Sequence, residues 1–214
     1  MLKVHVLFEH SRDLQPHGCS HIRLLLPLAH PANAGAWRLT QGVDYAGGAD
    51  VVIVERTWRP GPGLRAAAEA LVDRVRREGA CLIYTLDDNL LDLRPRPLGP
   101  AGLTDAQAST VRFLAREADG IIVSTQPLQS RLAALKPRII VVPNALDERL
   151  FAAAAGRPRA SEAGGPLVIG LMGTRSHDAD LQLILEPLRA VLRRQAGRAQ
   201  FELIGGLADP AWLQ

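Results

Sequence analysis

ADVVIVE, at residues 49–55, is a nearly continuous run of apolar, mostly β-branched side chains that ends in a carboxylate. A strand buried on both faces has this composition, whereas a half-exposed antiparallel strand alternates apolar and polar residues. Similar runs lie on either side of it: KVHVLF (3–8), CLIYTL (81–86), GIIVS (120–124) and RIIVVP (138–143). These five runs predict a parallel sheet that is covered on both faces.

Helical patterns separate the predicted strands, as the connections of a parallel sheet require. They are predicted at residues 20–29, 63–78, 104–118 and 126–135. Within the second, apolar side chains recur every three or four residues, at Leu64, Ala67, Ala68, Leu71 and Val75. Such a stripe packs on one face of a sheet. The alternation of strands and helices predicts an α/β fold.

A change in composition predicts a domain boundary near residue 152. The segment AAAAGRPRASEAGGP has the Ala, Gly and Pro content of an exposed linker. Beyond it the same order begins again, with PLVIGLMG (166–173), a helix at 179–195 and AQFELIGG (199–206). We therefore predict three parts: an N-terminal domain at 1–151, a linker at 152–165 and the beginning of a second domain at 166–214.

The helix predicted at 179–195 carries a broad apolar face, which we expect to be buried. Its members are Leu181, Ile184, Leu185, Leu188, Val191 and Leu192. One helix and two strands cannot cover a sheet on both faces. The segment 166–214 is therefore expected either to be only marginally stable by itself or to pack on another part of a protein.

The composition argues against several classes of protein. A formal net charge of +3 and 4% aromatic residues do not favour a nucleic-acid partner. No apolar run reaches the roughly 20 residues of a membrane-spanning helix, and the N-terminus has no signal-peptide pattern. Cys19 and Cys81 lack the spacing of a zinc site and are predicted to be reduced thiols. We predict a cytoplasmic protein without a metal or cofactor.

The run RIIVVPNALDERLF, at 138–151, combines a strand with a turn. Pro143 ends the strand, and the short amide of Asn144 suits a turn. The run resembles the strand and VPNGVD-like turn that end the N-terminal domain of many bacterial GT-B glycosyltransferases. Ala145 and Leu146 stand where that family often has Gly and Val. The resemblance implies a GT-B-like fold in which Asn144 marks the interdomain turn.

The run LVIGLMGTRSHDADLQLI begins the second predicted domain. It resembles the opening of the C-terminal domain in the same enzymes, where the pattern G-T-x-x-H-x-x-D is common. The matching residues are Gly173, Thr174, His177 and Asp180. The resemblance implies a nucleotide-sugar donor at this loop.

A helix N-terminus offers unpaired N–H donors and the positive end of the helix dipole to an anionic diphosphate. The predicted donor-binding residues are Gly173, Thr174, Arg175 and His177. An alternative needs no ligand, because Ser176 or Asp178 can simply cap the helix. Both interpretations are compatible with the sequence.

The pair Asp87 and Asp88 follows the strand CLIYTL, at the edge where open parallel sheets bind ligands. Either carboxylate can serve as a general base toward an acceptor hydroxyl. A strand followed by D-D-x-L/F is familiar in the same enzymes, which generally stabilise the leaving diphosphate without a metal. The alternative is a helix cap exposed to solvent.

The loop EHSRDLQPHGCSHIR, at 9–23, follows the first strand. His10, His17 and His21 do not have the spacing of a compact metal site. In the resembling family a glycine-containing loop at this place faces the acceptor, which implies an acceptor-side role for His17 and Gly18 and a catalytic role for His10. A loop histidine exposed to solvent is the alternative. The sequence has no GxGxxG, which disfavours a dinucleotide site.

One face of the helix at 63–78 is basic, with Arg65, Arg74, Arg76 and Arg77. Such a face can lie on an anionic membrane, which predicts peripheral association with its inner surface. Glu69, Asp73 and Glu78 dilute the charge, so a solvated helix face is the alternative.

Taken together, the resemblance implies a glycosyltransferase of cell-surface glycan synthesis. It would transfer a sugar from a nucleotide-sugar donor to a glycan, a lipid-linked acceptor or a small hydroxyl compound. In this family most donor contacts lie further along the C-terminal domain. We therefore expect a chain truncated within that domain, or one completed by a second subunit. Two alternatives are a non-catalytic module that binds a glycan or a partner and a nucleotide-sugar epimerase.

Overall fold

The computed structural model describes residues 1–10, 12–92, 103–152, 165–173 and 178–205. They form two compact units. The first contains the described residues of Met1–Leu93 and Leu103–Ala153, and the second contains those within Ala154–Gln214. Each unit has its own parallel sheet.

The first unit is built on a six-stranded sheet. Its strands are β1 (Leu2–Leu7), β2 (Trp37–Gly42), β3 (Val51–Glu55), β4 (Cys81–Leu86), β5 (Gly120–Val123) and β6 (Ile139–Val141). Their order is β2-β1-β3-β4-β5-β6, and every neighbouring pair is parallel. The predicted α/β fold with a Rossmann-type parallel sheet is confirmed.

Strand β2 was not predicted, so the sheet has six strands rather than the five expected. It lies at one edge, beside β1. Trp37 and Leu39 are half-buried, whereas Arg38, Thr40 and Gln41 are exposed. An edge strand with this alternation does not produce the continuous apolar run on which the prediction depended.

The helices of the first unit are α1 (18–28), α2 (Leu64–Glu78), α3 (Asp105–Glu117), α4 (Gln126–Leu132) and the unpredicted α5 (Glu148–Ala152). The middle turn of α1, His21–Leu25, is π-helical. Helix α3 begins with a capping box, in which Thr104 Oγ1 accepts from Gln107 N and Gln107 Oε1 accepts from Thr104 N. Four of the five helices thus match predicted ones.

The sheet of the first unit is buried on both faces. On one face, Val52 and Val54 of β3 belong to a core with side chains of α2, α3 and α4, among them Leu71, Leu114 and Leu132. On the other face, a smaller core is formed by Val4, Val6, Phe8 and Ile53 with Leu24 and Leu25 of α1. The prediction of a sheet covered on both sides is therefore confirmed.

The second unit consists of β7 (Leu167–Gly173), α6 (Asp178–Arg194) and β8 (Ala199–Gly205), and β7 pairs with β8 in parallel. Leu181 and Leu188 of α6 are buried. The expectation of a broad buried face is wrong for Ile184 and Val191, which are exposed. A two-stranded sheet offers a narrow surface, so residues seven apart on the helix are the ones that become buried.

Candidate functional site

Polar side chains that follow β1, β3 and β4 meet at the carboxyl edge of the first sheet. Strands β2 and β3 lie on opposite sides of β1, so the strand order reverses there. Open parallel sheets bind ligands beside such a reversal, outside the carboxyl ends of the strands. We name these charged residues, with one from α1, the carboxylate–arginine cluster: Glu9, Arg23, Glu55, Arg56, Asp87 and Asp88.

Arg56 lies at the centre of the carboxylate–arginine cluster. Its Nε is 2.9 Å from Glu9 Oε2, and its Nη1 donates to Asp87 Oδ1 at 2.7 Å and to Asp88 Oδ2 at 2.6 Å. Burial alone would lower the pKa of Arg56, but the neighbouring carboxylates of Glu9, Asp87 and Asp88 more than offset this and raise it. One guanidinium, from the loop after β3, thus fixes three carboxylates that come from the loops after β1 and β4.

The backbone after β3 is held in an unusual conformation. Arg56 and Trp58 have φ values of 47° and 57°, a region that side chains other than glycine rarely adopt. Tyr84 Oη donates to the Arg56 carbonyl at 2.7 Å, and His10 N donates to the Trp58 carbonyl at 3.2 Å. Strain of this kind concentrates at functional sites, where the surrounding structure maintains it.

Glu55, the last residue of β3, is fully buried. Its Oε2 accepts from Glu9 N at 2.8 Å and from Ser20 Oγ at 2.5 Å. Its Oε1 has no hydrogen-bond partner among the described residues. Burial raises the pKa of Glu55, and the bonds from Ser20 and Glu9 N only partly oppose the shift. The cluster therefore contains a carboxyl group that readily holds a proton.

Arg23 connects the cluster to the turn after β6. Its Nε donates to Asn144 Oδ1 at 3.0 Å, its Nη2 donates to the Leu86 carbonyl at 3.3 Å, and its Nη1 lies 3.7 Å from Asp87 Oδ1. Arg23 belongs to the π-helical turn of α1, and such turns are frequent at functional sites. The interdomain-turn candidate Asn144 is thus linked to the carboxylate–arginine cluster.

The structure brings together some of the predicted site residues. Asp87 and Asp88 are members of the cluster, and His17 Nδ1 is 3.6 Å from Glu9 Oε2. Gly18 begins α1, and His10 is buried with its ring nearly perpendicular to that of Phe8. Their predicted catalytic and acceptor-side roles remain predictions.

The donor-side candidates belong to the second unit. Gly173 ends β7 beside Gly205 of β8. A Cβ on Gly205 would lie 1.9 Å from the Gly173 carbonyl oxygen, so the two strands approach too closely for a side chain there. Thr174, Arg175 and His177 lie outside the described residues. Diphosphate binding by this loop remains a prediction.

Four members of the cluster were not identified from the sequence: Glu9, Arg23, Glu55 and Arg56. A signal existed for three of them, because Glu9 directly follows one apolar run, Glu55 ends another and Arg56 comes next. A charged side chain at the carboxyl end of a buried parallel strand is a candidate for ligand binding. Arg23 gave no such signal, since it lies within a helix.

Two further features lie in the first unit. A mostly apolar cavity of about 290 Å³ is lined in part by Ile22, Leu26 and Leu146. At its polar side, His30, Asp147 and Glu148 form a group that can be tested as a metal site. His30 Nδ1 accepts from Ala32 N, which places the proton of the neutral ring on Nε2, beside Glu148 Oε1. This arrangement favours a hydrogen bond over a metal bond.

The basic face of α2 has partners within the protein. Arg65 pairs with Glu69 and lies over the Phe113 ring, Arg76 pairs with Glu117, and Arg74 donates to the Tyr45 carbonyl. Membrane association through this face remains a prediction. Among the described residues, no helix is both long enough and apolar enough to span a bilayer.

Comparison with known proteins finds similarity in structure but not in sequence. No family model matches the sequence, and no curated protein matches it. The chain is similar to the crystal structure of TarM, a glycosyltransferase, with a TM-score of 0.49 and 12% sequence identity. The match covers 76% of this chain and 29% of TarM, so the chain spans less than a third of TarM's length. The α/β architecture itself rests on the strand order and register given above.

Proposed function

We propose that this chain carries the acceptor-binding domain of a glycosyltransferase that uses a nucleotide-sugar donor. The main support is the carboxylate–arginine cluster, whose charged groups are largely buried beside the reversal of strand order. Charged side chains are rarely buried except in pairs, and perturbed groups concentrate at functional sites. The resemblance of the runs at 138–151 and 167–184 to GT-B glycosyltransferases supplies the reaction class.

In this proposal Asp88 is the general base. Its side chain is 58% exposed, which makes it accessible to a ligand, whereas Asp87 is largely buried beside Arg23 and Arg56. The acceptor hydroxyl gives its proton to Asp88, its oxygen bonds to the anomeric carbon of the donor sugar, and the nucleoside diphosphate leaves with the electrons of the broken bond. Arg56 orients the base. Binding of the diphosphate by Gly173, Thr174, Arg175 and His177 stays a prediction.

A transfer assay tests the proposal. The chain is incubated with nucleotide sugars, with and without polyhydroxyl acceptors, and release of the nucleoside diphosphate is measured. We expect acceptor-dependent release that falls about 100-fold or more in Asp88→Asn. Glu69→Gln, on the exposed face of α2, is the matched control and should keep the parent rate.

The other outcomes separate the alternatives. An unchanged rate in Asp88→Asn contradicts the assignment of the base. Conversion of the donor sugar without an acceptor indicates an epimerase, and ligand binding without turnover indicates a binding module. Peripheral membrane association and completion by a second subunit stay predictions.

A further inference from the structure

The carboxylate–arginine cluster holds more negative than positive groups. Among the described residues, the carboxyls of Glu9, Glu55, Asp87 and Asp88 face two guanidiniums, those of Arg23 and Arg56. Three carboxylates still face these two guanidiniums when Glu55 is protonated. His17, at the rim, is half-exposed and lies against Glu9. An anionic ligand would therefore enter a region of negative potential.

The contacts of the two arginines strengthen this asymmetry. Arg56 directs Nε and Nη1 at carboxylates, and Arg23 donates to Asn144 and to the Leu86 carbonyl. The N–H groups engaged in this way, at Arg56 Nη1 and at Arg23 Nε and Nη2, are not available to a phosphate or carboxylate. Each carboxylate oxygen has two lone pairs, so Asp88 can still accept hydrogen bonds from a ligand.

A second observation points to the ligand's chemistry. The Arg23 side chain is 6% exposed, and its Nη1 has no hydrogen-bond partner among the described residues. This atom is directed into the cluster, 3.7 Å from Asp87 Oδ1, which is too far for a hydrogen bond. A buried donor without an acceptor is costly. A ligand hydroxyl would supply the missing acceptor, because its oxygen can accept from Arg23 Nη1 while its hydrogen is donated to Asp87. An ammonium group has no lone pair with which to accept from Arg23. A carboxylate has no hydrogen to donate to Asp87.

We propose that the carboxylate–arginine cluster selects its ligand by charge. It binds a neutral or amino-bearing sugar through one hydroxyl shared by Arg23 and Asp87, and it excludes sugars that carry a carboxylate or a phosphate beside that hydroxyl. Asp88 meets the neighbouring substituent and repels an anion there. The assignment of this sugar as an acceptor rests on the proposed function, whereas its binding does not.

Cys19 reports on occupancy of the cluster. It is exposed, and its thiol interacts with the Asp87 carboxylate. Cys81, at the amino end of β4, is the other cysteine of the chain and serves as an internal reference. The rates at which an uncharged maleimide modifies the two thiols are measured by mass spectrometry with glucose, glucosamine or glucuronate present.

We expect glucose and glucosamine to slow modification of Cys19 but not of Cys81, and glucuronate to have no effect. In Arg23→Gln the protection by glucose should be lost. Equal protection by glucuronate, or protection by none of the three sugars, would overturn the proposal.

A second measurement tests the charge directly and needs no sugar. Cationic and anionic methanethiosulfonates of similar size are compared, and the ratio of their rates at Cys19 is divided by their ratio at a small neutral thiol in solution, because Cys81 lies beside a carboxylate of its own, Asp119. We expect Cys19 to favour the cationic reagent, with the preference falling about three- to tenfold in Asp88→Asn. Asp88 is exposed, so this variant is expected to fold, and Glu69→Gln should change nothing. A preference of Cys19 for the anionic reagent refutes the proposal.

The two proposals fail separately. Charge-selective protection without acceptor-dependent transfer contradicts the proposed enzyme and leaves the sugar site standing. Transfer to glucuronate at the rate seen with glucose contradicts the charge selection and leaves the glycosyltransferase standing.

Discussion

The two parallel sheets of this molecule are built from similar apolar strands but differ in what covers them. In the first unit, cores on both faces bury the strands. In the second, apolar side chains remain exposed on both strands and on the helix, as at Leu167, Met172, Leu183 and Ile204. An apolar run therefore predicts a strand, but the layers that pack on that strand determine how much of its side-chain surface is buried.

A matched pair of truncations should show this contrast most strongly. Leu114 is 1% exposed and Leu183 is 80% exposed. We expect Leu114→Ala to destabilise the first unit by about 2 to 5 kcal/mol, because it leaves a cavity in a packed core. Leu183→Ala should change the stability of the second unit by less than about 0.5 kcal/mol. Hydrogen exchange monitored by mass spectrometry follows the two units separately, and equal effects would remove the contrast.

Within the first unit, a substitution in the carboxylate–arginine cluster should lower the stability nearly as much as one in the core. Arg56→Met leaves Glu9 and Asp87 without their shared cation. Breaking a fully buried ion pair costs about 3 to 5 kcal/mol, and because Arg56 is 17% exposed and Arg23 still lies near Asp87, we expect a loss of about 2 to 3 kcal/mol of unfolding free energy. Urea unfolding followed by tryptophan fluorescence measures this, since Trp58 is buried in this unit. The loss in Arg56→Met/Asp87→Asn should be smaller than the sum of the two single losses. Additive losses would mean that the pair is not coupled.

The protonation of Glu55 should make the first unit's stability depend on pH. The pKa of Glu55 is raised in the folded protein, so the folded state binds the proton more tightly than the unfolded chain. Its contribution is fully present below the ordinary glutamate pKa and is lost as pH rises through the raised value, at no more than about 1.4 kcal/mol per pH unit.

Glu55→Gln keeps a neutral side chain of the same shape. Urea unfolding across this pH range should show a flatter dependence in the variant than in the parent protein. A parallel pH profile in both proteins would show that Glu55 is not the group responsible.

The smallest expected effect is at the start of α3. Thr104→Ala removes the oxygen that accepts from Gln107 N, and we expect it to cost about 1 kcal/mol. Thr104→Ser keeps that oxygen and should stay near the parent stability in the same urea experiment. A loss in Thr104→Ser as large as in Thr104→Ala would locate the effect in the methyl group.

Much of the fold was predictable because burial on both faces leaves a strong pattern, as in ADVVIVE and CLIYTL. Strand β2 was not predictable in this way, because its exposed positions carry the polar residues Arg38, Thr40 and Gln41. The position of Asp87 and Asp88 at the carboxyl edge of the sheet was predictable, because the two residues directly follow the strand CLIYTL. The hydrogen bonds from Arg56 to these two aspartates could not be predicted from the sequence. They depend on the parallel register that sets Glu55 beside Thr85 and on the positive φ of Arg56.

The bond between Arg23 and Asn144 joins residues 121 positions apart in the chain. Contacts of such long range form only after much chain entropy has been lost, and parallel sheets that depend on them fold slowly. The loops that meet at the cluster cannot be held together until β1, β3, β4, β5 and β6 have all paired. Substitutions there should therefore accelerate unfolding more than they slow folding, so that the site is completed last as the first unit folds.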